Sequence, residues 1–309
     1  MSSAVVFAYS EVGVRCLRVL VRQGVHVPLV LTHEDDPSEQ RWFGSVADLA
    51  RQHRIPVIAP ADPNGDAVIA RIERLSPDFL FSFYYRHLLS DRLLATPARG
   101  ALNMHGSLLP KYRGRAPVNW AIVNGETETG ASLHYMEAVP DAGPLVGQEP
   151  VPILIDDTGL DVSLKVAAAA ERLLERCLPD LLAGHAPRVP LNLARGSYFG
   201  RRQPQDGRIQ WNRPALEIHN LIRAVAPPFP GAFGRCGEWT LRVLGSRYLD
   251  GEARHLAQAP CLYVEDGQLQ LDCSDGKQLT LTRVELAGSA FTATSFADRY
   301  GGHAQLRLF

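Results

Sequence analysis

Between residues 5 and 105, short apolar runs alternate with segments of helical period, and few folds accommodate that alternation. Residues 5–9 read as a buried strand. Residues 12–21 follow with apolar side chains at helical spacing, up to Gly24. Residues 27–31, 55–58, 79–83 and 101–105 read as further strands, with helices predicted over 45–53 and 67–75. Strands alternating with helices imply βαβ units and a parallel sheet covered on both faces. Right-handed crossovers then give a doubly wound, Rossmann-like α/β layout. Yet the first strand runs into AYSEVGVRC, so the G-x-G-x-x-G dinucleotide fingerprint is absent, and no G-x-x-x-x-G-K-[ST] occurs either.

A long helix rich in Ala and Leu is predicted over 159–184, with Gly184 as its stop. The pattern changes after about residue 200. One helix is predicted over 212–225, broken by the PPFPG turn at 227–231. Short alternating segments follow: TLRVL, CLYVEDG, QLQLD and KQLTLTRVEL. Gly and Asp turns between them mark a small all-β domain, sandwich or barrel. A chain of 309 residues suggests two domains. The boundary falls near 195–205, with residues 1–200 forming the larger α/β domain and 201–309 the smaller β domain.

A formal net charge of −1 gives no electrostatic footprint for a nucleic-acid partner. The five cysteines form no C-x-x-C and none sits at zinc-finger spacing from a histidine. Their odd count and scatter point to reduced, mostly buried thiols in a cytosol-like compartment. No cluster of Cys, His, Asp or Glu has metal-ligand spacing, so no metal is expected. MSSAVVFAYSEVG reads as a strand without the basic start of a signal peptide, and no apolar run reaches the ~18 residues of a membrane helix. A cytoplasmic protein without a membrane span is expected.

One stretch does not fit a merely structural role: NMHGSLLPKYRGRAP, residues 103–117. In an open α/β sheet, ligands bind beyond the carboxyl ends of the strands. Asn103 and His105 close the strand 101–105, and strand alternation puts both side chains on one face. Gly106 and Ser107 turn the chain, and Pro110 with two leucines stiffens the loop. Lys111, Arg113 and Arg115 follow. Singly, each residue suits a bland role: a hydrogen-bonded strand-end histidine, a turn-forming asparagine, solvated cations. Their coincidence at one strand exit favours a functional site. Downstream, Asp141 falls in MEAVPDAGPLVGQ, either as an Asx-turn former or as a further functional carboxylate.

With these residues in hand, the chain resembles the N10-formyltetrahydrofolate-dependent formyltransferases. The shared pattern is N-x-H-x-S-L-L-P-x-x-R-G-x-A-P with a later D-x-G, and it extends through FAYSEVG, GSVADLA, SFYYRHLL, FGRR and AVAPPFPGAF. Within the family it is most similar to the formyltransferase part of the bifunctional enzymes that act on UDP-4-amino-4-deoxy-L-arabinose. The resemblance implies the formyltransferase fold with a small OB-like C-terminal barrel, and N10-formyltetrahydrofolate as co-substrate without metal. It implies Asn103, His105 and Asp141 as the catalytic trio. It implies His87, Leu88 and Leu89 as a segment whose backbone meets the pterin, with Arg115 and the turn Glu137, Ala138, Val139 and Pro140 as further folate contacts. That turn is acidic and apolar where basic residues are expected in close relatives. The bifunctional relatives continue into a decarboxylase, whereas this chain stops at Phe309, so a separate decarboxylase is the expected pathway partner.

Formyl transfer is attack of a neutral amine on a formamide carbon. The carbonyl oxygen gains negative charge, which an imidazole or an amide N–H can stabilise. A carboxylate favours the protonated imidazole and can accept the amine proton, directly or through water. Strand-exit and turn positions predict few core contacts for His105 and Asp141. Arg201 and Arg202 in YFGRR suit the diphosphate of the acceptor, because guanidinium forks match phosphate oxygens. Tyr84, Tyr85 and Arg86 read as pocket wall. The alternative acceptor is methionyl-tRNA, whose formyltransferases usually carry a basic insertion after the second strand. Here that region is acidic, with Glu34, Asp35, Asp36 and Glu39, and an acidic loop repels phosphates.

Overall fold

A computed structural model of the chain describes residues 2–37 and 40–309; Glu39 of the acidic loop lies outside them. The chain forms two compact units. The first holds the residues up to Pro117, Glu128–Pro152 and Ser163–Gly200; the second holds Val118–Thr127, Ile153–Val162 and Arg201–Phe309.

The first unit is built on a seven-stranded sheet in the order β3-β2-β1-β4-β5-β7-β8. Its parallel part consists of β1 (Ser3–Ala8), β2 (His26–Leu31), β3 (Val57–Ile58), β4 (Phe79–Phe83) and β5 (Gly100–His105). The crossovers are α1 (Ser10–Arg22), α2 (Val46–Gln52), α3 (Asp66–Leu75) and the short α4 (Asp91–Leu94). Every residue of β4 is buried, and β1 is buried beyond its first residue. This is the continuous apolar pattern of strands covered on both faces. Helix α1 turns Val12, Cys16, Leu17, Val19 and Leu20 inward, so helical period and burial agree.

The βαβ alternation ends at β5. After the two-residue β6 (Arg113–Gly114) and helix α5 (Pro117–Val123), β7 (Glu128–Tyr135) and β8 (Leu145–Pro152) extend the sheet antiparallel. The register places Asn103 opposite His134 and His105 opposite Ser132. Helix α6 (Gly159–Ala183) ends where Gly184 takes φ +81°, a left-handed stop that glycine adopts without steric cost. Strand β9 (Tyr198–Phe199) then pairs with β6 in parallel, so a small ribbon lies outside the main sheet.

The second unit carries α7 (Ala215–Ala224) and an antiparallel sheet. Its strands are β10 (Ala232–Cys236), β11 (Trp239–Glu252), β12 (Cys261–Glu265), β13 (Gln268–Asp272), β14 (Lys277–Leu286) and β15 (Ser289–Ala290); after α8 (Ala293–Tyr300), β16 (Gln305–Arg307) completes it. They follow the path β10-β11-β14-β13-β12-β16, with β15 on β14. Irregular register between β11 and β14 curls the sheet into a half-barrel, since bulges bend and twist a strand. Segment 153–162 belongs to this unit for a hydrogen-bonding reason. The buried His219 ring donates from Nε2 to the Ile155 carbonyl at 2.9 Å, and Arg223 donates to the carbonyls of Leu154 and Asp157. All five cysteines are free. No helix among the described residues is long and apolar enough to cross a membrane.

Candidate functional site

The parallel strands share one carboxyl edge, where ligands of such sheets bind. Three of the predicted residues meet there. Asn103 and His105 leave β5 two positions apart, and the loop from β7 to β8 returns Asp141 to them. Asn103 Nδ2 lies 3.4 Å from Asp141 Oδ1, and His105 Nδ1 lies 3.5 Å from the same oxygen. The second carboxylate oxygen accepts the N–H of Gly114 at 2.8 Å. None of these partners belongs to the turn that carries Asp141, so its carboxylate is not a local Asx cap. The residue holds φ +54°, a region that Asp tolerates better than most side chains. The prediction of few contacts fails here: the Asp141 side chain is 12 % exposed and is held from several sides. Burial opposes its charge, but the His105 ring, the His134 ring and the Gly114 N–H outweigh that and keep the carboxyl well below the usual carboxylate range.

The hydrogen-bond partners assign the protons. His105 Nε2 lies 2.8 Å from the carbonyl of Tyr112, which can only accept, so Nε2 carries a proton. Nδ1 faces the Asp141 carboxylate, and that contact is favourable only when Nδ1 is protonated as well. Of the two, the 3.5 Å contact is the looser, so Nδ1 is the atom that can turn its proton to a substrate.

His134 completes the site and went unread in the sequence. It is 1 % exposed on β7, directly across from Asn103. Its Nδ1 donates to the Tyr135 carbonyl at 2.8 Å, and its Nε2 lies 3.2 Å from Asn103 Nδ2 and 3.6 Å from Asp141 Oδ1. The Asn103 amide thus stands between the His134 ring and the Asp141 carboxylate. The only available signal was periodic, since residues 128–135 form the strand that pairs with β5. Replacing His134 by Phe keeps the ring volume and removes the ring nitrogens. Losing one such hydrogen bond is worth roughly 1 kcal/mol, so kcat is expected to fall about fivefold to tenfold with the folate KM unchanged; steady-state kinetics check this.

The segment predicted to meet the pterin is clamped from behind. His33 stacks on Tyr85 with ring centroids 4.1 Å apart and on His87 at 5.1 Å. Its Nε2 accepts the Arg86 N–H at 3.0 Å. Burial, with the charges of His87, Arg86 and Arg115 around it, lowers the His33 pKa to about 4, so the ring stays neutral and able to accept. Asn64 holds the Leu88 carbonyl and the Ser90 N–H. The peptide groups of His87 and Leu89 have no partner among the described residues. Leu88 is 66 % exposed, and Val139, in the turn that leads to Asp141, is 56 % exposed beside exposed Glu137 and Ala138 and half-buried Pro140. Arg115 is exposed. Tyr84 takes φ +58° and lays its phenol against Gly106, while the Arg86 guanidinium covers the Tyr9 ring at 4.6 Å.

Arg201 and Arg202 belong to the second unit. Arg201 is exposed. Arg202 lies over the Trp120 ring at 4.6 Å and donates to the Asp206 carbonyl at 2.7 Å, while its Nη1 is buried without a partner. In the acidic loop, Asp35 is held by the Tyr9 hydroxyl and paired with Arg41. Among the described residues, no group of three or more His, Cys, Asp or Glu is placed to hold a metal ion.

Comparison with known proteins bears on this arrangement. The fold is similar to an N-formyltransferase from Helicobacter canadensis in complex with folinic acid and dTDP-3-aminofucose. That match has 20 % identity, covers 91 % of this chain and 99 % of that one, and has a TM-score of 0.74. WlaRD, a sugar 3N-formyltransferase in the presence of dTDP and 5-N-formyl-THF, matches at 18 % identity, 91 % and 97 % coverage and a TM-score of 0.71. A 4-N-formyltransferase from Francisella tularensis matches at 20 % identity, 77 % and 93 % coverage and a TM-score of 0.62. The formyl transferase family pattern covers residues 15–178, and that of the formyl transferase C-terminal domain covers residues 201–301. With both patterns present in chain order, this protein belongs to the formyl transferase family and is a formyltransferase.

Proposed function

We propose that this formyltransferase passes the formyl group of N10-formyltetrahydrofolate to the amine of a nucleotide-linked amino sugar. The observation that carries the chemistry is the pairing of His105 with a buried, ionised Asp141 beside the carbonyl of Asn103. Asn103 Oδ1 accepts an N–H of the incoming amine and turns its lone pair toward the formyl carbon. As the C–N bond forms, the carbonyl pair moves to oxygen, and the Nδ1–H of His105 meets the developing charge. Asp141 favours the protonated ring that this requires. The amine proton leaves to Asp141, directly or through water, and returns to N10 as the old C–N bond breaks. The products are the formamide and tetrahydrofolate. The unpartnered peptide groups of His87 and Leu89, with exposed Leu88 and Val139, support the folate assignment of those loops, and Arg115 and Glu137 to Pro140 stay with them.

For the acceptor, the sugar-nucleotide assignment has two supports. Of the structures reported above, one is a sugar 3N-formyltransferase seen with dTDP and another an N-formyltransferase seen with dTDP-3-aminofucose. The loop after β2 is acidic where a tRNA-binding relative would be basic. UDP-4-amino-4-deoxy-L-arabinose is the first candidate, which would put the enzyme in the cytoplasm, in lipid A modification and polymyxin resistance, downstream of a decarboxylase. Initial rates with N10-formyltetrahydrofolate against UDP-4-amino-4-deoxy-L-arabinose, dTDP-3-amino sugars and charged initiator tRNA test the reading. Faster formylation of the tRNA than of every amino sugar overturns it.

Arg201, exposed and free to turn, is proposed to hold the acceptor diphosphate. A hydrogen bond to a charged group is worth about 1.5–3 kcal/mol, so Arg201→Ala should raise the acceptor KM about ten- to a hundredfold and leave the folate KM unchanged. Arg202→Ala should also lower the melting temperature, because that side chain already packs on Trp120.

A further inference from the structure

The basic loop contains a second arginine, Arg113, whose side chain makes no hydrogen bond or ion pair with any described residue. Arg113 lies on the β6–β9 ribbon, and alternation splits the side chains of this ribbon between two faces. Tyr112 and Phe199 stack on one, with centroids 5.1 Å apart and planes 11° from parallel; Tyr112 is buried. Arg113 and Tyr198 take the other, with the guanidinium 5.9 Å from the Tyr198 ring centre. Arg113 makes no hydrogen bond or ion pair through its side chain with any described residue, and its Nε is sealed from solvent without an acceptor. A buried, unsatisfied guanidinium nitrogen is costly and calls for a partner. Tyr198 is 59 % exposed, an aromatic face left open to solvent.

The ribbon is fixed to the reaction centre. Between these two side chains sits Gly114, whose N–H binds the Asp141 carboxylate. At φ +94°, with the Tyr198 ring 3.1 Å from where a Cβ would stand, only glycine fits there. The open ring and the unengaged cation therefore lie within one residue of the carboxylate that handles the amine proton. A pyranose bearing the reacting amine, with a phosphate on its anomeric carbon, presents a face for the ring and an anion for the guanidinium.

We infer that Tyr198 and Arg113 form the seat of the sugar-phosphate end of the acceptor: the ring packs under the pyranose and the guanidinium binds the phosphate attached to it. The inference rests on the sugar-nucleotide reading above. It also gives the cations of the loop separate tasks, with Arg115 near His33 on the folate side and Arg113 on the acceptor side. The p-aminobenzoyl-glutamate end of folate, also flat and anionic, is the competing occupant.

Binding and kinetics separate these cases. Calorimetry would titrate UDP, dTDP and 5-formyltetrahydrofolate into the wild type, Arg113→Gln, Arg113→Lys, Tyr198→Ala and Tyr198→Phe. Arg113→Gln should weaken the better nucleotide about ten- to a hundredfold and leave the folate unchanged, with Arg113→Lys in between. Tyr198→Ala should raise the amino-sugar nucleotide KM while leaving UDP or dTDP binding near wild type, because those ligands lack the sugar. Tyr198→Phe, which keeps the ring face, should raise that KM by less than Tyr198→Ala does. Since Tyr198 is exposed, its variants keep the test open even if Arg113→Gln fails to fold. Weaker folate binding with unchanged nucleotide binding would reassign the seat to the donor and overturn the inference. Wild-type behaviour of both Arg113→Gln and Tyr198→Ala would overturn it too, with the sugar-nucleotide reading intact. A wild type that binds the folate but neither nucleotide, and formylates no amino-sugar nucleotide, would remove that reading and the inference with it.

Discussion

His105→Ala should lower kcat by about a hundred- to a thousandfold, the usual cost of removing one oxyanion donor, with both KM values little changed. The expectation follows from the hydrogen bonds of the ring. Nε2 is fixed by the Tyr112 carbonyl, so Nδ1 alone can swing its proton to the developing oxyanion. An interaction made only in the transition state lowers kcat and kcat/KM together, and that is the pattern to look for. Folding should survive. The Tyr112 carbonyl still has the Ser107 hydroxyl at 3.4 Å, so the loss is one hydrogen bond, about 1 kcal/mol. His105→Gln should fold at least as well and remain slow, because an amide can replace the Nε2 contact but cannot carry the charge. Near wild-type turnover in either variant would remove His105 from the chemistry.

Asp141→Asn is expected to be both slow and less stable. The new amide retains an acceptor for the Gly114 N–H, but its own NH2 then faces Asn103 Nδ2 and His105 Nδ1, where the native carboxylate accepts. Losing a charge-assisted bond and gaining opposed donors should cost about 2–3 kcal/mol. At about 2–4 °C per kcal/mol, the melting temperature should fall by roughly 4–12 °C. Turnover should drop at least as far as in His105→Ala, since the protonated imidazole and the proton acceptor are lost together. The pH dependence has a definite sign. The folded-state pKa of Asp141 is depressed, so its stabilisation is fully present above the unfolded value of about 3.9 and is lost as pH falls through the folded value. The stability gap between wild type and Asp141→Asn should be flat from about pH 5 to 8 and close below about pH 4. Denaturant unfolding at several pH values checks this, and a gap that closes on the alkaline side would contradict the ionised carboxylate.

Some of this was legible in the amino-acid order. Local periodicity marks β1, α1, β2, α3, β4 and β5, because each buries a continuous run or a single helical face, and neither depends on distant residues. The spacing of Asn103 and His105 is likewise local: two positions on a strand share a face wherever the strand lies. The missing glycine fingerprint after β1 and the acidic loop after β2 also needed no coordinates. Asp141 could be seen as a candidate but not distinguished from a turn former, because its partners lie 27 to 38 residues away in sequence. His134 was invisible for the same reason. Its role exists only because β7 pairs antiparallel with β5 in one register, and a slip of one residue would turn the ring to the other face of the sheet. The placement of the Asn103 amide beside the His134 ring follows from that pairing in turn. The assignment of segments 118–127 and 153–162 to the second unit, and the lack of a hydrogen-bond acceptor for Arg113 Nε among the described residues, are likewise properties of the assembled chain. Sequence determined which side chains reach the carboxyl edge of the sheet; long-range pairing decided which of their atoms remain open to a substrate.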